Sequence, residues 1–187
     1  MKIFIISNHW LYLVFILFYS GSIFPNELTQ SKGAVVTSNA LATKAGEKIL
    51  AEGGNAYDAA TTISAMLSVV EPFASGLGGG AFWLIYDAKS KKYTMLDARE
   101  TAPLQSHKNM YLDENENLIQ NISKIGPLSA GIPGIPAVLS YVNDKYGSKK
   151  LSTLLDPAYE AAINGFPVNE RYLKGANYKK KWLKKYK

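Results

Sequence analysis

Ser75-Gly76-Leu77-Gly78-Gly79-Gly80-Ala81 is the stretch whose context decides the fold. Gly76-x-Gly78-x-x-Ala81 fits the letters of a dinucleotide-binding fingerprint. Its surroundings run the wrong way. A phosphate-cradling loop follows a strand and opens a helix, so that the helix amides face the anion. Here the residues before it, Ala56–Val70, read as a helix with Ile63, Met66, Leu67 and Val70 on its apolar side and Pro72 at its end. The residues after it, Ala81–Tyr86 (AFWLIY), read as a strand. No Gly-Lys-Ser/Thr follows, which excludes a P-loop. The glycines are read as permitting positive φ and close backbone approach beside a strand start. Such a turn either lines a site or lets two layers pack.

Working outward, Gly33–Thr37 (GAVVT) is a short β-branched run and predicts a strand. Ser38 or Asn39 can cap a helix over Ala40–Glu52, where Leu41, Ala45, Ile49 and Leu50 recur at helical spacing and Gly53 supplies the stop. In Gly53–Ala60 (GGNAYDAA), Asn55 is placed to cap the next helix, and Asp58 in its first turn complements the helix dipole. Downstream, Tyr93–Leu96 pairs with Ala81–Tyr86 as a hairpin around the polar turn Asp87–Lys92. Thr101–Lys124 is polar and irregular. Gly126–Pro136 holds three glycines and three prolines and reads as a constrained loop. Helices follow over Pro136–Lys145, closed by Gly147, and over Leu151–Asn164, closed by Gly165. Helices, hairpin, loops, helices is an α+β order, not alternating βαβ units.

The 187 residues suffice for one domain with a core, and 47% of them are hydrophobic. Cysteine is absent, so disulfides and thiolate metal sites are excluded. The net charge of +6 does not point to nucleic acid. Lys174, Lys179, Lys180, Lys181, Lys184, Lys185 and Lys187 crowd the end of the chain, and the remainder carries 14 basic and 15 acidic residues. At the other end, Lys2 precedes an unbroken apolar run, Trp10–Tyr19, and Ser20-Gly21-Ser22 offers a cleavage site. Ten residues of helix rise about 15 Å, half a bilayer's apolar core. This predicts a signal peptide over residues 1–22 and export to a periplasmic or secreted location. The alternative is an uncleaved anchor starting at Ile3. Residues 23–32 are expected to be a flexible lead-in.

The candidate chemistry centres on Leu96–Pro103 (LDARETAP). Arg99 is always cationic and presents a planar fork suited to a carboxylate. A local ion pair with Asp97 or Glu100 accounts equally for its presence. Asn55 and Asp58 are sufficiently explained by capping. His107, the single histidine after residue 22, stands in a polar loop, and no Ser-His-Asp grouping or metal-ligand spacing can be assigned. Neither a metal nor a cofactor is called for. Tyr178, Trp182 and Tyr186 recur at i, i+4, i+8 among lysines. The stripe suits a membrane surface, or, as the preferred reading, a helix face that needs a partner segment absent from this chain.

Taken together, Gly53–Ala60, Glu71–Phe82 (EPFASGLGGGAF), Leu96–Pro103, Ser129–Pro136 (SAGIPGIP) and, more loosely, Asp156–Val168 (DPAYEAAINGFPV) resemble the γ-glutamyltransferase (glutathione hydrolase) family of N-terminal nucleophile hydrolases. The resemblance runs in the family's order from Gly33 to about Leu173. It implies an N-terminal fragment of a four-layer αββα fold, with residues 33–173 as part of the large subunit and 174–187 as a lysine-rich tail. It also implies a precursor that cuts itself into a large and a small subunit. The new N-terminal threonine of the small subunit attacks the γ-glutamyl amide, with its own amine as base. The acyl group then passes to water or to an amino acid or peptide acceptor.

By the same resemblance Arg99 holds the α-carboxylate of the γ-glutamyl donor, glutathione being the expected one. Gly78, Gly79, Gly80 and Glu100 line or support that site. No threonine here, Thr61 and Thr62 included, stands in the family's self-cleavage context. The expected partners are therefore the donor, the rest of the large subunit and the small subunit, with no nucleic acid and membrane contact only through the signal segment. The chain alone is expected to be inactive. The alternatives are a non-catalytic relative that only binds γ-glutamyl compounds and a related acylase of the same superfamily.

Overall fold

The computed structural model describes residues 33–185, and the fold is that of the unit that begins at Val35. The expected signal peptide (1–22), the expected lead-in (23–32), Tyr186 and Lys187 lie outside the described residues.

Helix α1 (Ala40–Ala51) starts where the Asn39 side chain accepts the Leu41 N–H at 2.9 Å, and Gly53 follows its end with φ 82°. Helix α2 (Ala56–Val70) opens on a reciprocal capping box. Asn55 Oδ1 accepts the N–H groups of Tyr57 (2.8 Å) and Asp58 (3.0 Å), and Asp58 Oδ2 accepts that of Asn55 (2.9 Å). Strands β1 (Ala81–Asp87) and β2 (Lys92–Ala98) pair antiparallel in register from Ala81↔Ala98 to Asp87↔Lys92. The Asp87 carboxylate fixes the turn by accepting the Lys89 N–H at 3.0 Å and the Ser90 hydroxyl at 2.5 Å. After a long loop with one 3-10 turn at Pro127–Ser129 come α3 (Ile135–Tyr146), α4 (Leu151–Asn164) and α5 (Glu170–Lys185).

The core has three parts. Ala42 and Ala45 of α1 meet Met66 and Val70 of α2, and the small alanines let the two helices approach closely. Ile49, Ala59 and Leu154 join α1, α2 and α4. Ile85 and Ala98 of the hairpin pack on Val138 and Val142 of α3, flanked by Trp83 and Leu96. This last cluster uses one face of the two-stranded sheet. The other face carries Phe82, Leu84, Tyr86, Tyr93 and Met95, all between 51% and 71% exposed. Alternation along each strand therefore divides two apolar faces, and among the described residues helices cover only one.

Asp58 extends its local cap into a tertiary clamp. It is 1% exposed and also accepts the Ser148 hydroxyl (2.5 Å) and the N–H groups of Ser148 (2.9 Å) and Lys149 (3.3 Å). Asn55 Nδ2 donates to the Tyr146 carbonyl at 2.8 Å, and the Tyr57 and Tyr146 rings stack 4.9 Å apart. The start of α2 is thereby fastened to the α3–α4 connection.

The strand expected over 33–37 does not form. A β-branched run becomes a strand only against a ladder partner, and among the described residues the single sheet holds only β1 and β2. Val36 is 93% exposed.

Candidate functional site

The Ser75–Ala81 turn and the Gly126–Pro136 loop converge on the end of β2. The carbonyl of Gly79 accepts the N–H groups of Gly134 (3.0 Å) and Ile135 (3.1 Å). Thr101 and Ile132 form an isolated antiparallel bridge, with the Ile132 N–H donating to the Thr101 carbonyl at 2.8 Å and the Thr101 N–H to the Ile132 carbonyl at 3.2 Å. The backbone of Ala98–Glu100 passes between the two loops. A Cβ on Gly80 would stand 2.6 Å from the Ala98 carbonyl oxygen and from Arg99 Cα, and one on Gly134 would overlap the Ala98 carbonyl outright. These two positions admit hydrogen and nothing larger. The expectation of close backbone approach in the Ser75–Ala81 turn is met at Gly80, whereas that of positive φ is not: among the described residues the positive-φ glycines are Gly53, Gly126 and Gly165, so this turn needs glycine for clearance and not for backbone angle.

Arg99 emerges from this cradle at the strand end. Its own N–H donates to Asp97 Oδ1 at 3.0 Å, and its guanidinium lies 3.4 Å from Glu100 Oε2 and 5.9 Å from the Phe82 ring centroid. Of the two carboxylates that sequence left open, Glu100 takes the ion pair and Asp97 the backbone. The Arg99 side chain is 57% exposed. An ion pair this open is worth about 0–1 kcal/mol, so an incoming carboxylate can compete for the guanidinium.

Two clefts meet at Arg99. One, of about 530 Å³, runs along β2 and α3 between Met95, Asp97, Ile132, Pro133 and Tyr141. The other, of about 510 Å³, lies over the glycine turn, bounded by Ser68, Gly76, Gly79, Gly80, Trp83 and Glu100. Glu100 also borders a smaller recess of about 220 Å³ with Thr101, Tyr111 and Gly131. Gly79, Gly80, Arg99 and Glu100 are thus brought together. Gly78 belongs to the same turn and has open space around it. Among the described residues, no group of three or more His, Asp or Glu is placed to hold a metal ion.

One residue of this neighbourhood escaped the sequence reading as an individual. Glu71 ends α2 and is 1% exposed. Its Oε2 accepts the Ser38 hydroxyl at 3.1 Å and faces Arg171 at 3.4 Å, and its carbonyl accepts the N–H groups of Ala74 and Ser75 at 2.9 Å each. It therefore anchors the first turn of the glycine loop. A charged residue directly before that loop was the available signal.

The fold is a mixed helix-and-sheet fragment of the N-terminal nucleophile hydrolase architecture. The family model described as gamma-glutamyltranspeptidase matches residues 42–187, and the chain belongs to that family. It is 43% identical over 138 residues to the glutathione hydrolase proenzyme of Pseudomonas sp. (strain A14), covering 74% of this chain and 24% of that protein. The glutathione hydrolase proenzyme of Bacillus subtilis (strain 168) is 40% identical, with 73% and 24% covered. Helicobacter pylori gamma-glutamyltranspeptidase superposes with a TM-score of 0.79 at 42% identity, over 82% of this chain and 44% of that one. The chain thus spans about a quarter of the length of the curated relatives it matches.

Proposed function

We propose that these residues form the donor-carboxylate end of a γ-glutamyl transfer or hydrolysis site. The observation that carries this reading is Arg99, half-open between two clefts, with its backbone gripped by two glycine loops. A guanidinium on a rigid support loses little freedom when it takes up a bidentate carboxylate. Glu100 and the Phe82 ring hold it near its working orientation while leaving other N–H donors unspent. Fixing the α-carboxylate of glutathione or another γ-glutamyl compound places the distant γ-amide for attack. Gly78, Gly79, Gly80 and Glu100 shape and support the same pocket.

The nucleophilic threonine, its oxyanion donors and the remaining glutamyl contacts belong, on this reading, to the three-quarters of the parent enzyme that lies outside this region of similarity. The relatives' description as proenzymes supports a partner subunit. The uncovered face of the β1–β2 hairpin supports it too, since a second apolar layer fits there. Residues 1–22 as a signal peptide would deliver the protein to a periplasmic or secreted location.

Calorimetry with glutathione tests the reading. The 187-residue protein is expected to bind it. Arg99→Ala should weaken binding by about 10-fold to 100-fold, the worth of a charge-assisted pair, and Arg99→Lys should recover part of the loss. Equal binding by wild type and Arg99→Ala would overturn the assignment. Release of p-nitroaniline from γ-glutamyl-p-nitroanilide by the purified chain would overturn the placing of the nucleophile elsewhere.

A further inference from the structure

Of the two clefts that meet at Arg99, the one along β2 and α3 has a second anion-seeking group at its far end. Helix α3 follows Gly134, which lies against the Ala98 carbonyl. Seven residues of helical rise place Tyr141 about 10 Å along α3 from that point. The cleft of about 530 Å³ runs the same way and is bordered by both Arg99 and Tyr141. Tyr141 Oη accepts a hydrogen bond from Lys145 Nζ at 2.8 Å, one turn further along the helix. The Lys145 ammonium also stands 5.2 Å from the Tyr141 ring centroid and 5.3 Å from that of Tyr146. The neighbouring acid, Asp144, takes the Ser140 hydroxyl at 3.4 Å, and among the described residues no carboxylate forms an ion pair with Lys145. A tyrosine oxygen that accepts from an ammonium keeps its own O–H to donate, and the adjacent charge makes it a stronger donor. Tyr141 and Lys145 thus present a polarised hydroxyl and an uncompensated cation at the end of the cleft opposite Arg99.

We propose that Tyr141, backed by Lys145, binds a second carboxylate, so that the β2–α3 cleft selects γ-glutamyl peptides that end in a free carboxylate. The inference rests on the donor-site reading of Arg99 and names the substrate class for it. Length agrees: extended glutathione holds its two carboxylates about 10 Å apart, which matches the run from Gly134 to Tyr141. Charge agrees as well. Asp97 borders the cleft between the two ends and repels an anion held midway. The carboxylates therefore belong at Arg99 and Tyr141, with the neutral amides between them. The other cleft at Arg99 is bordered by Glu100, whose carboxylate opposes a second negative charge there. Tyr141 is 45% exposed, so its hydrogen bond competes with water. It sets the preference among donors, while Arg99 anchors them all.

Calorimetry of the full chain with two ligands tests it: glutathione, and the same peptide with its glycine carboxylate converted to the carboxamide. The wild type should bind glutathione about 5-fold to 10-fold more tightly than the amide. Tyr141→Phe keeps the ring and removes the hydroxyl. It should lower glutathione affinity to the level of the amide and leave the amide unchanged. Lys145→Gln should remove part of the same preference, and added salt should shrink it in the wild type. Arg99→Ala should weaken both ligands alike. If the wild type binds the two ligands equally while Arg99→Ala still weakens both, the role of Tyr141 falls and the donor-site reading stands. Equal losses of both ligands in Tyr141→Phe would leave that side chain a structural part only and would also overturn the proposal. Binding of neither ligand, or binding that Arg99→Ala leaves unchanged, would overturn the donor-site reading and this inference with it.

Discussion

The Gly134 N–H donates to the Gly79 carbonyl at 3.0 Å and joins two glycine loops far apart in the sequence. Both loops press on the backbone that leads into Arg99. The guanidinium is thus aimed by main chain, with its side-chain contacts adding only orientation. That makes backbone clearance at the glycines a requirement of the site as well as of the fold.

Gly134→Ala is the sharpest check. The new methyl would overlap the Ala98 carbonyl, so the end of β2 must move. Overpacking of this kind costs about 1–3 kcal/mol, and the displaced strand end should carry Arg99 with it. A lowered urea midpoint together with lost glutathione binding is expected. Gly78→Ala is the control, because no atom lies within 4 Å of its added Cβ. Its effect on the midpoint should stay within about 0.5 kcal/mol.

Asp58 predicts an acid-sensitive fold. Burial pushes its carboxyl up, but the Ser148 hydroxyl and the N–H groups of Asn55, Ser148 and Lys149 together outweigh that and hold it below its ordinary value. A carboxylate depressed in the folded state adds stability that is fully present above the unfolded value of about 3.9 and is lost as pH falls through the lower folded value. Urea midpoints taken from pH 7 down into that acid range should therefore fall. In Asp58→Asn the profile should flatten, starting from a reduced stability at pH 7. The cost there should be about 1–3 kcal/mol, because at least one former donor faces an amide that cannot accept as the carboxylate did. An unchanged acid slope in Asp58→Asn would mean that other carboxylates carry the effect.

Much of this was legible locally. The bounds of α2 and α4 follow from Asn55, Pro72 and Gly165 acting over a few residues, and the hairpin from two apolar runs around a polar turn. β2 extends past Leu96 through Asp97 because Asp97 falls on the open face, where a charge costs nothing. The joins between elements were not legible. Gly79 with Gly134, Asp58 with Ser148 and Glu71 with Arg171 are pairings that no local periodicity specifies. Arg99 stood between these cases: its chemistry was visible, while the choice of Glu100 over Asp97 depended on where the chain turned after Ala98.

The Glu71–Arg171 pair is unequal, and that inequality can be measured. Glu71 is buried to 2% at its side chain, whereas Arg171 is 55% exposed. Glu71 Oε1 has no hydrogen-bond partner among the described residues. Arg171→Ala would leave the buried carboxylate with only the Ser38 hydroxyl, a loss expected to cost about 3 kcal/mol. Glu71→Gln in the Arg171→Ala background should restore part of that stability, since no uncompensated charge remains. Thermal unfolding of the two single variants and the double variant forms the required cycle. Purely additive effects would show that the pair is not coupled.

The open face of the hairpin sets the behaviour of the isolated chain. Phe82, Leu84, Tyr86, Tyr93 and Met95 lie on one face of the hairpin, and among the described residues neither strand has a ladder partner on its outer edge. Exposed apolar area on a flat two-stranded ribbon drives association with whatever apolar layer is available. For the isolated chain in solution, that layer is another copy of the same face. Light scattering should therefore show self-association that grows with protein concentration. Leu84→Lys with Met95→Glu places an opposite-charge pair across the strands at the centre of the face, at positions already in register. This double change should return the protein to a monomer while leaving its urea midpoint within about 0.5 kcal/mol, because neither side chain enters the core. Association that persists unchanged would assign the adhesive surface elsewhere.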